Sequence, residues 1–367
     1  MTDSPLTPRQ ARVRGPVRVV GTGLLGASVG LGLRSLGVDV VLADASPANM
    51  RLAADYGAGR ADDSRVEPEL IVVAVPPDVV SHVVAAELAE HPTAVVTDVA
   101  SVKVAPLEEL RARGIDLARY VGSHPLAGRE RGGPSAARAD LFIGRPWVVA
   151  TRPDNAARDV QLVESLILDL GATPITMPEA EHDAAVALVS HTPQIIASLM
   201  AARLGAAPDS ALALAGQGVR DVTRIAGSQP ELWVQILGAN SPAITEILRA
   251  YRDDLDRVIT VLDNLDEPGS RRALAEHLAT GNAGVARLPG KHGQDKRYST
   301  LTVMVEDHPG ELARLLAELG DLDVNLEDLR LEHSPEAAFG LAEIAVLPAV
   351  LQRTVEDLVA RGWRIAG

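Results

Sequence analysis

Six residues near the start of the chain, Gly21-Thr22-Gly23-Leu24-Leu25-Gly26, constrain its fold more than any others. They follow the β-branched run Val17-Arg18-Val19-Val20 and open a stretch, Leu24 to Leu36, that reads as a helix. A G-x-G-x-x-G string is weak alone, but between a strand and a helix it has a mechanical meaning. Gly21 makes the tight turn, Gly23 lets backbone approach a pyrophosphate, and Gly26 lets helix pack on strand. The helix then offers free N–H groups and its positive dipole end to phosphates. A second strand, Val38 to Ala43, ends at Asp44, 18 positions after Gly26. A carboxylate there accepts from both ribose hydroxyls of NAD and repels the 2′-phosphate of NADP. Arg51, seven residues further on, complicates that selectivity. Pro76-Pro77 stops a third apolar run, Leu70 to Val75, where a dinucleotide lies in such sheets. The candidate cofactor residues are therefore Gly21, Gly23, Leu24, Leu25, Gly26, Asp44, Val75 and Pro76, and the cofactor expected is NAD.

Further apolar runs, Ala94 to Thr97 and Pro146 to Ala150, alternate with helical stretches. Strands apolar on both faces, alternating with helices, predict a Rossmann-type parallel sheet covered on both sides. From about Asn155 the pattern changes: Ala156 to Leu170 reads as helix, Ala172 to Met177 as one strand, and the chain is then helical to about Leu265. Glu179 to Leu204 is alanine-rich with few polar interruptions, as in helices packed on several sides of a bundle or a dimer core. A short helix is expected near Arg271 to Leu278, and Gly281 to Arg297, with Pro289-Gly290-Lys291-His292-Gly293, reads as a linker. From Ser299 the order is β-α-β-β-α-β, the ferredoxin-like plan. The expected organisation is an α/β Rossmann domain over residues 15–153, an all-helical substrate and dimerisation domain over 154–280, a linker over 281–298 and a small α+β domain over 299–367.

Composition narrows the function. Of 367 residues 47% are hydrophobic and the formal net charge is -14, so a core is affordable and nucleic acid or an anionic membrane is a poor partner. The absence of cysteine removes disulfides, thiolate nucleophiles and cysteine-ligated zinc, and no metal is expected. The polar N-terminus lacks the apolar centre of a signal peptide, and no stretch is expected to reach the roughly 18 apolar residues of a membrane span. A cytoplasmic protein is the expectation. An anionic substrate then requires locally clustered arginines.

Polar groups concentrate beside the apolar strands in Thr97-Asp98-Val99-Ala100-Ser101-Val102-Lys103 and in Gly122-Ser123-His124-Pro125-Leu126-Ala127-Gly128-Arg129-Glu130. Strand C-terminal ends are where open α/β sheets bind ligands. A third group, Ser190-His191-Thr192-Pro193-Gln194, lies in the alanine-rich helix, and Arg220-Asp221-Val222-Thr223-Arg224 follows it. Arg220 and Arg224 are four apart and share a face if the segment is one helix. Gly26-Ala27-Ser28-Val29-Gly30 also fits the hydrolase pattern G-x-S-x-G, but that elbow needs a strand running into its first glycine. Ser28 falls inside a helix instead and is dismissed. His82, His91, His182, His277 and His333 read as ordinary surface or core histidines.

In combination these strings resemble the prephenate/arogenate dehydrogenase family over roughly residues 17 to 265. His-Pro-Leu-Ala-Gly at 124–128 and Asp-Val-Thr-Arg-Ile-Ala at 221–226 are the most specific. The resemblance implies NAD-dependent oxidative decarboxylation of prephenate in tyrosine biosynthesis, by a likewise expected homodimer. It implies His124 as the base or hydrogen-bond acceptor at the substrate's C4 hydroxyl, with Ser101 bonded to His124 or to that hydroxyl. Arg224 would grip a carboxylate and His191 lie near the substrate side chain. Gln194, one turn on from His191, and Arg220 are further substrate candidates. Lys103 and Glu130 stand between structural and functional readings. Arg129 and Arg131 flank the His124 segment, and Arg129 departs from the small hydroxyl residue expected there.

The C-terminal piece resembles an ACT domain. Asp307, Pro309 and Gly310, in the turn before a helix, are candidates for an aromatic amino-acid effector held at that helix N-terminus. Arogenate in place of prephenate stays open. A β-hydroxyacid-type dehydrogenase would want a lysine on the long helix, and Glu179 to Leu204 has none. A non-enzymatic amino-acid sensor would show broken glycines or lack a base, and neither is found.

Overall fold

The computed structural model describes residues 10–62, 67–128, 132–288, 298–333 and 339–366. The β-branched runs form the strands β1 (Val17–Val20), β2 (Val40–Ala43), the short β3 (Arg60–Ala61), β4 (Leu70–Val73) and β5 (Val95–Asp98). They pair in parallel in the order β3-β2-β1-β4-β5. Parallel neighbours need crossovers, supplied by α1 (Leu24–Ser35), α2 (Pro47–Asp55) and α3 (Val80–Glu90), with α4 (Val104–Ala112) after the last strand. One face of the sheet packs Val17, Val19, Leu33, Leu42, Phe142 and Leu166, the other Ile71, Val73, Val84, Leu107, Leu110 and Tyr120. Strand order reverses between β1 and β4, which opens the crevice where such sheets take ligands.

A second sheet differs from the expectation of one parallel sheet. Strand β6 (Gly122–Pro125) runs antiparallel to β7 (Pro146–Ala150), which is parallel to β8 (Thr173–Met177); α5 (Ala157–Asp169) joins the last two. Tyr120 bridges to Val96 of β5, with Val121 N–H donating to Val96 O at 2.9 Å, so the second sheet is stitched to the first. Because β8 pairs with β7, the sheet domain continues to Met177 rather than stopping at residue 153.

The helical half begins with α6 (Glu179–Val186), a π turn (Ala187–His191) and α7 (Thr192–Leu204). The π turn has a local cause. Pro193 has no N–H for the Val189 carbonyl and its ring collides with that oxygen in a regular helix, and a widened turn relieves both. Then come α8 (Asp209–Leu212), α9 (Gln217–Thr223), a 3-10 turn (Arg224–Gly227), α10 (Pro230–Ala239), α11 (Ser241–Asp263) and α12 (Ser270–Val285). Two expectations change here. The helix Glu179–Leu204 is, by length and hydropathy, long and apolar enough to cross a membrane. It nevertheless carries His182, Asp183, His191 and Gln194 buried against protein. And α12 runs through Gly281 and Gly284 to Val285, so the first part of the expected linker is helix. Pro289 to Gly293 lie outside the described residues.

At the C-terminus, β9 (Ser299–Glu306), α13 (Glu311–Asp321), β10 (Asp328–His333), β11 (Phe339–Val346), α14 (Pro348–Ala360) and β12 (Arg364–Ala366) follow the ferredoxin-like plan, in the antiparallel order β10-β11-β9-β12. Val303, Leu315, Leu319, Ile344, Leu358 and Trp363 form its core. The chain divides into two units, one reaching Ala206 and including Val222–Arg252, the other comprising Ala207–Asp221 and the chain from Asp253.

Candidate active site

The glycine turn is built for close approach. A Cβ on Gly26 would sit 1.9 Å from the Gly21 carbonyl oxygen, and one on Gly21, at φ +93°, 2.3 Å from that of Ala74. A Cβ on Gly23 would meet nothing within 4 Å, so this glycine leaves space over the N-terminus of α1. Leu24, Leu25 and Val75 are half-buried around the turn and Pro76 is exposed. Asp44, at the end of β2, accepts from Thr22 N–H at 2.6 Å, Thr22 Oγ1 at 2.7 Å and Ser46 N–H at 2.7 Å. Its carboxylate is thereby fixed beside the turn. Ser28 is fully buried in α1 and accepts from the Arg138 N–H at 3.0 Å, a packing role.

His124 sits within strand β6 rather than beyond the C-terminal end of a strand. Strand alternation explains its orientation. Ser123 donates to the Asp98 carbonyl at 2.8 Å and accepts from Thr97 Oγ1 and Trp147 Nε1, both at 3.0 Å, which anchors one face of the strand. His124, next along, turns to the opposite face, where its Nδ1 lies 2.8 Å from His182 Nε2. His182 Nδ1 lies in turn 2.7 Å from Asp183 Oδ1. Asp183 also accepts from the backbone N–H of Lys103 (2.8 Å) and Val104 (2.9 Å), the start of α4. Burial works to raise the Asp183 pKa, but the bonds from His182, Val104 and Lys103 hold it below the usual carboxylate value.

Burial above all, then the nearby His182, Lys103 and His191, press the His124 pKa well below that of an ordinary histidine. Lys103 is itself buried and paired with Asp98, which also accepts from Tyr120 OH at 2.7 Å. Desolvation and the Asp98 charge push the Tyr120 phenol well above its normal pKa. Lys103, Asp98 and Tyr120 thus form a closed ionic cluster behind the site.

Ser101 is half-buried and makes no side-chain hydrogen bond among the described residues. The expected bond to His124 is not formed at Nδ1, which His182 occupies. Nor does Ser101 cap α4, whose N-cap is Lys103. His191, in the π turn, is buried, with Trp233 edge-on at 6.2 Å. Gln194 is buried one turn later. Arg224 is exposed and makes no ion pair among the described residues; it opens the 3-10 turn that packs against α7. Asp221 instead accepts from Gln217 at 2.7 Å. Because α9 ends at Thr223, Arg220 and Arg224 do not share one helix, and Arg220 is an exposed residue of α9. Arg129, Glu130 and Arg131 lie outside the described residues. The sequence reading missed His182 and Asp183; the adjacent His-Asp pair at the head of the His191 helix was the available signal.

In the ferredoxin-like part, Gly310 (φ +97°) follows Pro309 and precedes α13. A cavity of about 100 Å³ there is lined by Val305, Asp307, His308, Leu312, Leu331 and Gly340, among others.

Residues 29–176 match the family model for the nucleotide-binding domain of prephenate dehydrogenase, and residues 178–280 that for its dimerization domain. The probable prephenate dehydrogenase NovF of Streptomyces niveus is 36% identical over 355 residues, which cover 94% of this chain and 98% of NovF. The chain belongs to the prephenate dehydrogenase family. The family's two domains meet between residues 176 and 178, where β8 gives way to α6. Arogenate dehydrogenase of Synechocystis, a solved member of this fold, is 27% identical, with a TM-score of 0.60 over 73% of this chain and 99% of that one. The prephenate dehydrogenase of Aquifex aeolicus, solved with hydroxyphenyl propionate and NAD+, shares the fold at a TM-score of 0.63 and 24% identity, covering 77% of this chain and 100% of that one. The dimerization domain of this prephenate dehydrogenase family member leaves Leu188, Val189, Leu199 and Met200 exposed on its first long helix.

Proposed function

We propose that this chain is an NAD-dependent prephenate dehydrogenase, a cytoplasmic homodimer that forms 4-hydroxyphenylpyruvate on the way to tyrosine. One observation carries the reading: a buried imidazole, held neutral, stands on a strand tied to the dinucleotide sheet and faces the helical half. The glycine turn, the space over Gly23 and the fixed Asp44 carboxylate suit an adenine dinucleotide without a 2′-phosphate. NAD supplies the acceptor for the C4 hydride.

The work of the protein is positioning and proton transfer. His124 takes the C4 hydroxyl proton as the carbon is oxidised to a ketone. Loss of carbon dioxide from C1 then leaves its electron pair in the ring, and His124 returns the proton to the new phenolate oxygen. A positioned base of this kind contributes ~10²–10⁴-fold. Ser101, whose hydroxyl makes no hydrogen bond among the described residues, orients the C4 oxygen. Arg224 receives a carboxylate bidentately, and His191 and Gln194 border the substrate side chain.

Prephenate is the substrate proposed, and arogenate, which carries an amine where prephenate has a keto group, is the alternative. The exposed apolar residues of the helical half are the surface a second copy covers. The cavity beside Asp307, Pro309 and Gly310 suits the amino and carboxylate groups of an aromatic amino-acid effector in an ACT-type domain. Steady-state rates on prephenate and arogenate, each with NAD and NADP, test the assignment. The highest kcat/KM is expected for prephenate with NAD. Turnover of neither substrate overturns it.

A further inference from the structure

The chain Asp183–His182–His124 is a line of three buried side chains joined end to end, with contacts of 2.7 and 2.8 Å. The hydrogen bonds along it have a direction. A carboxylate only accepts, so His182 Nδ1 carries the hydrogen that bonds Asp183 Oδ1. With that ring neutral, its Nε2 has only a lone pair to offer. His124 Nδ1 must then carry the hydrogen between the two rings, which leaves His124 Nε2 bare. That nitrogen has no partner among the described residues and is not sealed off as a buried, unpartnered atom. The rings meet edge to face, at 79° and 5.1 Å between centroids, so the contact is a directed bond and not a stack.

We propose that His182, anchored by Asp183, is a positioning residue that fixes the tautomer of His124, holding the proton on Nδ1 and presenting Nε2 as the lone pair that takes the substrate's proton. The proposal rests on His124 being the base. Asp183 suits the anchor role because the Lys103 and Val104 N–H groups at the head of α4 hold both its oxygens. The same bonds tie the catalytic strand, α4 and the first helix of the helical half into one unit. Besides His182 and Asp183, the titratable groups facing His124 are Lys103, on the lead-in to α4, and His191, on the π turn. Lys103 is spoken for by Asp98 and His191 by Asn240, so neither competes for Nδ1.

Two measurements on the full-length chain decide it. Nitrogen NMR of protein labelled at histidine, with His124 assigned by substitution, reads the protonated ring nitrogen near neutral pH. Hydrogen on Nδ1 and a bare Nε2 are expected; hydrogen on Nε2 overturns the proposal. His182→Leu should lose at least ~10-fold in kcat, a part of the ~10²–10⁴-fold that a positioned base contributes, with the NAD Kd unchanged. His182→Gln, whose terminal carbonyl can reach the position of Nε2, should recover most of it. Wild-type turnover in the Leu variant, or a Gln variant no better than Leu, contradicts the proposal. If the Leu variant does not fold, the tautomer of the wild type still decides. Full activity in His124→Asn would instead overturn the functional assignment itself, whatever the tautomer.

Discussion

His191 Nδ1 lies 3.1 Å from the side-chain nitrogen of Asn240, and that same amide donates to the Asp183 carbonyl at 2.8 Å. The carbonyl can only accept, so the NH2 end of Asn240 must face it, and His191 Nδ1 accepts. The His191 proton therefore sits on Nε2. Burial, partly opposed by Asp183 and reinforced by His182, lowers its pKa to about 4. With His124 also depressed, the site presents two neutral imidazoles at neutral pH.

This fixes the sign of a pH effect on stability. In the unfolded chain these histidines take up protons near 6.5; in the folded protein His191 does so only near 4. Between those values the unfolded state binds more protons, so stability falls as pH drops through the window. The slope approaches about 1.4 kcal/mol per pH unit per histidine. Chemical denaturation at a series of pH values should show the decline, shallower in His191→Leu. A flat profile from pH 6.5 to 4 contradicts it.

Gly23 and Gly26 separate nucleotide binding from folding. Gly26→Ala forces a methyl to within 1.9 Å of a backbone oxygen, so a large drop in Tm is expected. Gly23→Ala meets no protein atom within 4 Å and should keep its Tm while losing NAD affinity tenfold or more, an order-of-magnitude figure for a lost backbone hydrogen bond. Thermal melts and NAD titration of both variants check this. Equal damage to Tm in the two would contradict the division.

Arg224 is exposed and without an ion pair among the described residues, so its removal should cost the fold little. Arg224→Ala should raise the KM for prephenate roughly 10–100-fold, the range of a lost charge-assisted contact, with a smaller change in kcat. Arg224→Lys should recover only part, since an ammonium lacks the bidentate fork. An unchanged KM in the Ala variant would remove Arg224 from substrate binding.

The glycine turn and the strands β1, β2, β4 and β5 were legible because local chemistry specifies them: β-branched runs apolar on both faces, and a G-x-G-x-x-G string between strand and helix. The C-terminal β-α-β-β-α-β order was legible from a different local pattern, strands such as β9 and β11 that bury every second residue. Strand β6 was not, since Gly-Ser-His-Pro has poor strand propensity and is extended by its pairing with β7. Likewise, α12 continues through two glycines that local propensity argues against. His182 looked bland because the atom that gives it meaning, His124 Nδ1, is 58 residues away in sequence. Periodicity finds buried faces; it does not say which buried side chains meet.

The most direct test of His124 as the base is the kcat of His124→Asn with prephenate and NAD, beside its NAD affinity. Asparagine keeps the polarity of the site but cannot accept the proton, so kcat should fall ~10²–10⁴-fold with the NAD Kd unchanged. Turnover at the wild-type rate would contradict the account.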